Sequence, residues 1–205
     1  MNESFFGLPP EKRKNLINAG YKAFAGCPYK NASMAMAAGE RGLSKSLLFY
    51  YFRNKKEYYL FLFDTAVRFL QDEKKTEPER VDLFELVNRT VERRLAIMRE
   101  YPYLMKFTAR AYYETEKSVE AELRVRKEAM ARLGVREALE QIDVRPLLDP
   151  ADAKMLVTII LTLAEGCMRG QEELDGEKID AVVPLFAEMM RSLKSHYYRR
   201  EERSV

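Results

Sequence analysis

An all-α chain of about nine helices is what this sequence predicts, and three observations carry the expectation. Glycine and proline are scarce, 9 and 8 in 205 residues, while the strong helix formers Ala, Leu, Glu, Lys, Arg and Met are abundant. Apolar residues recur at three- and four-residue intervals through most of the chain. No segment alternates apolar and polar residues between hairpin turns.

The first helix is expected over residues 10–25, where Leu16, Gly20, Ala23 and Phe24 fall on one face. Pro9-Pro10 suits a helix entry, and Glu11 favours the positive end of the helix dipole. Gly26-Cys27-Pro28 stops the helix. Ser33 is a good cap for a short second helix over residues 34–40, with Gly42 in the turn that follows. Ser44 caps a third helix that ends at Phe49-Tyr50-Tyr51. Asn54 caps a fourth, over residues 55–74, with Glu57 at the capping-box position. Thr76-Glu77-Pro78 breaks the pattern. Further helices read at residues 81–100, 103–113 and 117–141. Asp149-Pro150 opens a helix to about Gly170, Asp175-Gly176 forms a turn, and a last helix spans residues 179–199.

Composition excludes several chemistries. The single histidine, His196, is the only one a Ser-His-Asp machine could use. One His and two Cys are too few for a His- or Cys-rich zinc site. There is no Glu-x-x-His pair and no phosphate-cradling glycine loop. Neither an enzyme nor a bound metal or cofactor is therefore expected. Cys27 and Cys167 lie far apart without a CxxC pair, which suits a reduced, cytoplasmic interior. The longest apolar run, residues 155–164, is about half of the roughly 20 residues a membrane span needs. No membrane association is expected.

Charge divides unevenly. The chain carries a net +3, but residues 1–60 hold ten basic and four acidic side chains, and the remainder 25 basic and 28 acidic. A basic end joined to a mildly acidic body suggests a polyanion partner at that end alone.

Within the basic end, residues 33–52 read SMAMAAGERGLSKSLLFYYF. Two short capped helices joined by a tight glycine turn form a helix-turn-helix. The second opens with small polar residues and one cation, Ser44-Lys45-Ser46, and closes on four aromatics. Slim hydrogen-bonding residues can approach base edges in a major groove, and tyrosine hydroxyls can reach phosphates.

This stretch resembles the DNA-binding domain of the tetracycline-repressor (TetR) family of transcription regulators. The matching residues are Ala38, Gly42, Leu43, Ser44, Lys45, Leu48, Phe49, Tyr51, Phe52, Lys55 and Glu57, with Ala19, Phe24 and Gly26 in the first helix. The motif covers roughly residues 10–60. Three positions depart from it. Ala37 stands where a bulky aliphatic is usual, Ser46 where Gly is common, and Tyr50 where His is frequent.

The resemblance implies a DNA-binding domain over residues 1–55 and an effector-binding and dimerisation domain over residues 56–205, linked by helix 55–74. The DNA-facing candidates are Ser33, Ser44, Lys45, Ser46, Leu47, Phe49, Tyr50, Lys55 and Lys56. Phe49 and Phe52 also read as core rings that anchor the helix. An effector pocket is implied near Tyr103, Phe107, Arg110, Tyr113 and Glu114, with plain helix packing as the simpler reading of each. Two broad apolar stripes point to a four-helix homodimer interface. One holds Leu156, Ile159, Ile160, Leu163 and Cys167; the other holds Val182, Phe186, Met190 and Leu193. The expected function is a homodimeric repressor released from a palindromic operator in double-stranded DNA by a small-molecule effector. A helical protein–protein adaptor is the alternative.

Overall fold

The computed structural model describes residues 2–39, 44–71, 80–168 and 176–199. The expected turn at Gly42, the break at Thr76-Glu77-Pro78, Gly170 and Asp175 lie outside the described residues. Among the described residues the chain is all-α: α1 Pro10–Ala25, α2 Met34–Ala38, α3 Lys45–Tyr51, α4 Lys55–Leu70, α5 Leu83–Glu100, α6 Leu104–Tyr112, α7 Lys117–Gln141, α8 Ala153–Met168 and α9 Gly176–Tyr197. Two isolated β-bridges, Val81 with Ile142 and Leu147 with Tyr198, are the only extended pairings among them. Asp149 caps a single 3-10 turn, Pro150–Asp152, before α8 begins. The last helix starts at Gly176, where a turn was expected.

The local starts follow from capping. Ser33 Oγ accepts from the Met36 N–H, Ser44 Oγ from Leu47, and Asn54 Oδ1 from Glu57. Glu57 reaches back to the Arg53 N–H at 2.9 Å, one residue before the cap itself. Each such cap stabilises its helix by about 1 kcal/mol.

The chain divides into two compact units. The first comprises Met1–Glu73 and Leu95–Met130, and the second Lys74–Arg94 and Ala131–Val205. The linear boundary expected at residue 55 is therefore not where the packing divides. The reason is that α6 and the first half of α7 complete the core of the N-terminal helices.

In the first unit that core is aromatic. Tyr21, Phe24, Phe52, Tyr58, Tyr59, Phe63 and Phe107 are fully buried. Phe107 of α6 lies 5.1 Å from Tyr21 and 5.3 Å from Tyr59 between ring centroids. Edge-on and tilted pairs of this kind add about 0.5–1.5 kcal/mol each beyond the area they bury. Gly20 lets α1 and α4 approach closely. A Cβ there would lie 2.4 Å from the Tyr58 hydroxyl oxygen and 2.5 Å from Leu62 Cδ1. The Tyr58 and Tyr21 hydroxyls are satisfied across this seam, Tyr58 donating to the Leu16 carbonyl and Tyr21 to that of Leu62.

The second unit has a smaller, mainly aliphatic core of Leu83, Phe84, Ile142, Leu147, Leu156, Val157, Ile160, Met190 and Tyr198. In α8, Ala153, Leu156, Val157 and Ile160 point into this core. The opposite face, with Met155, Thr158 and Thr162, is exposed. Ile159, on that same face, is half-buried.

Candidate nucleic-acid interface

The helix-turn-helix is built from α2 and α3. Met34, Ala37 and Ala38 of α2 are buried, as are Leu48 and Tyr51 of α3. Phe52 ends α3 in an extended conformation and is fully buried, its N–H donating to the Leu48 carbonyl at 2.8 Å. The other face of α3 is open: Ser44, Lys45, Ser46, Phe49 and Tyr50 are all exposed. Leu47 is half-buried at the edge.

Phe49 departs from the core role read for it. It is 45% exposed, on the same face as Lys45, whose ammonium lies 5.9 Å from the ring centroid. One turn of helix separates the two positions, so they share a side. Tyr50 is exposed as well, and Ser4 and Asn2 hydrogen-bond its hydroxyl and lower its pKa. The Asn2 N–H also donates to the Tyr51 carbonyl at 2.8 Å, so the N-terminal turn grips the end of α3.

Two lysines have structural partners instead of open faces. The Lys55 ammonium donates to the carbonyls of Tyr29, Lys30 and Ala32 at 2.9, 3.3 and 3.0 Å. Its three N–H donors are thereby used on the loop before α2, and its expected role as a phosphate clamp gives way to that of a loop staple. Lys56 forms an ion pair with Glu122 of α7. Ser33 spends its hydroxyl oxygen on capping α2.

Sequence reasoning passed over two exposed residues beside α3. Met36 of α2 is 46% exposed, an apolar side chain on the side opposite Met34 and Ala37. Arg53, just after α3, is an exposed cation. The signal for Met36 was its phase relative to the buried alanines.

The residues proposed for an effector pocket serve as ties within the first unit. Phe107 is fully buried among Tyr21, Phe24 and Tyr59. Arg110 Nε donates to the Ala25 carbonyl at the end of α1, at 3.2 Å. Glu114 accepts from the Tyr29 N–H at 2.9 Å and from the Thr115 and Glu116 N–H groups. Tyr103 and Tyr113 are exposed, Tyr103 under the Lys22 ammonium and Tyr113 against Tyr112. The simpler reading, helix packing, holds for Phe107, and polar bridging describes Arg110 and Glu114.

The expected interface stripes also divide. Leu156, Ile160 and Met190 are buried in the core of their own unit, so they are not free to meet a partner. Leu163, Phe186 and Leu193 are half-buried against that core. Ile159, Cys167 and Val182 are half-buried. The broad stripe was two adjacent faces, and helical periodicity does not say which one the chain itself uses.

Among the described residues no cluster of three His, Cys, Asp or Glu side chains could hold a metal ion. None of their helices is long and apolar enough to cross a membrane.

No protein-family model and no curated protein sequence matches the chain. Solved structures do. A TetR-family transcriptional regulator from Chloroflexus aurantiacus superposes with a TM-score of 0.55 at 19% identity, covering 97% of this chain and 99% of its own. MexZ, a repressor responsible for antibiotic resistance in Pseudomonas aeruginosa, gives 0.59 at 22% identity, over 95% of this chain and 98% of its own. A transcriptional regulator from Cytophaga hutchinsonii gives 0.61 at 17% identity, over 92% and 99%. The helix order, the α2–α3 pair and near-complete coverage in both directions thus give this chain the fold of the TetR-family transcriptional regulators.

Proposed function

We propose that the chain is a homodimeric transcription regulator that represses from a duplex operator and is released by a small-molecule effector. The observation that carries this reading is the division of α3. One face, Leu48, Tyr51 and Phe52, is locked in the core; the other presents Ser44, Lys45, Ser46, Phe49 and Tyr50 to solvent. That is the division a recognition helix needs, with slim polar residues at its N-terminal end.

The dimer is supported by what α8 and α9 leave uncovered. Met155 is 60% exposed and Leu185 50%, with Leu161 and Val183 also exposed. Thr158 and Thr162 on the open face of α8 donate their hydroxyls back to the Lys154 and Thr158 carbonyls, which leaves their methyl groups outward. An apolar surface of this kind on two neighbouring helices favours association with a second copy. A two-fold axis would set two copies of α3 one DNA turn apart, roughly 34–36 Å, or a multiple of it.

The test is selection of bound fragments from the source genome. A palindromic half-site pair is expected, with binding that weakens steeply as salt rises. Lys45→Ala should weaken binding and lower the salt slope by about one unit while leaving the helical circular-dichroism signal unchanged. A chain that retains no duplex at low salt would instead be a helical adaptor.

A further inference from the structure

Phe49 is 45% exposed on the open face of α3, although its side chain carries no polar atom. The core of the unit takes Leu48, Tyr51 and Phe52 from the same stretch and leaves this ring out. The polar neighbours of Phe49 on that face are already engaged. Ser44 Oγ accepts from the Leu47 N–H at 3.1 Å and lies 3.1 Å from Ser46 Oγ. The Tyr50 hydroxyl is hydrogen-bonded by Ser4 and Asn2. Lys45, one helical turn earlier, holds its ammonium 5.9 Å from the Phe49 ring centroid. The face thus presents a bare aromatic ring beside a cation. It does so within residues 1–60, where ten basic side chains stand against four acidic ones.

That charge balance favours a polyanion as the occupant of the face. The edges of base pairs in a major groove offer mostly hydrogen-bonding groups, and a phenyl ring can satisfy none of them. The one apolar group a base pair presents there is the C5-methyl of thymine. It sits toward the backbone side of the base edge, next to the phosphates of its own strand. A cation one helical turn from the ring is placed for one of those phosphates. We propose that Phe49 reads a thymine in each operator half-site by packing against its methyl group, with Lys45 on a neighbouring phosphate. The proposal rests on the DNA-binding reading above and adds to it the base that the helix selects.

The full chain is titrated against the duplex recovered by the fragment selection. Each thymine is replaced in turn by deoxyuridine, which removes the methyl and keeps every hydrogen-bonding group of the base. At one thymine per half-site the Kd should rise about fourfold, the worth of one buried methyl group. Phe49→Ala should bind the thymine and uracil duplexes equally and keep the salt slope of the parent chain, because no charge is lost. Lys45→Ala should behave in the opposite way, with a lower slope and a retained preference for thymine. A check that needs no variant is 5-iodouracil at the sensitive position, which light should crosslink to Phe49. The absence of any methyl-sensitive thymine, an undiminished preference for thymine in Phe49→Ala, or a crosslink to another residue would overturn the proposal. Each of those outcomes leaves the regulator reading standing, since the duplex is still bound. A chain that retains no duplex even at low salt sinks both, and the exposed ring then belongs to a protein contact.

Discussion

Helix α1 in the first unit and helix α8 in the second are each 16 residues long. α8 is the more apolar of the two, yet α1 buries eight of its residues and α8, among its described side chains, only Ala153, Leu156, Val157 and Ile160. The difference lies in what surrounds them. α1 meets α2, α4 and α6, with polar ties at its end through Arg110 and at its middle through Asn18 to the Glu100 carbonyl. α8 packs on one side and leaves Met155 and the methyls of its threonines to solvent. Among the described residues the first unit encloses its core, whereas the second leaves an apolar face of α8 exposed.

That contrast can be broken most forcefully at Phe107. Truncation to Ala should destabilise the chain by about 3–5 kcal/mol, read from the denaturation midpoint, because the ring fills a closed aromatic core. A small loss with an altered ligand response would return Phe107 to a binding role.

Gly20→Ala comes next. The added methyl meets the buried Tyr58 ring and Leu62, and a cost of about 1–3 kcal/mol is expected despite the gain in helix propensity. A more stable variant would show that the α1–α4 seam can open without penalty.

Lys55→Met sharpens the assignment of the lysines. Loss of the three carbonyl bonds should cost roughly 1–2 kcal/mol in stability and leave the salt slope of DNA binding unchanged. An unchanged melting curve with a lower slope would restore Lys55 to the phosphate contacts.

The gentlest change to the fold is Met155→Glu on the open face of α8. Helical content should hold, since surface substitutions usually stay within about 0.5 kcal/mol. Sedimentation should fall to the 24.0 kDa of one chain. A dimer that survives the charge would place the interface elsewhere.

What could be read from the sequence was local. Ser33, Ser44 and Asn54 were visible as caps because capping joins residues three apart, and the bounds of α1 follow from its prolines and its Gly-Cys-Pro stop. The aromatic run Phe49-Tyr50-Tyr51-Phe52 was ambiguous. Four consecutive rings span more than a full turn, so at least one must face outward, and composition does not say that it is Phe49 as well as Tyr50. The roles of Lys55, Arg110 and Glu114 depend on carbonyls and amides 23 to 85 residues away. Backbone groups carry no side-chain signature, so no pattern in the sequence marks them as partners. The apolar stripes of α8 and α9 were ambiguous for a related reason: periodicity identifies an apolar face without naming its neighbour.

The place of Phe107 in the core of the first unit bears on how such a protein could be recombined. Exchanging a DNA-reading head between two regulators by joining the chains at residue 55 would separate Tyr21 and Phe24 from Tyr59 and from α6. The hybrid would have to rebuild an aromatic cluster from two parents that never packed together. A working graft would have to carry α4, α6 and the first half of α7 with the head, through Met130. The transferable module is thus discontinuous in sequence, and cutting it out takes three crossovers instead of one.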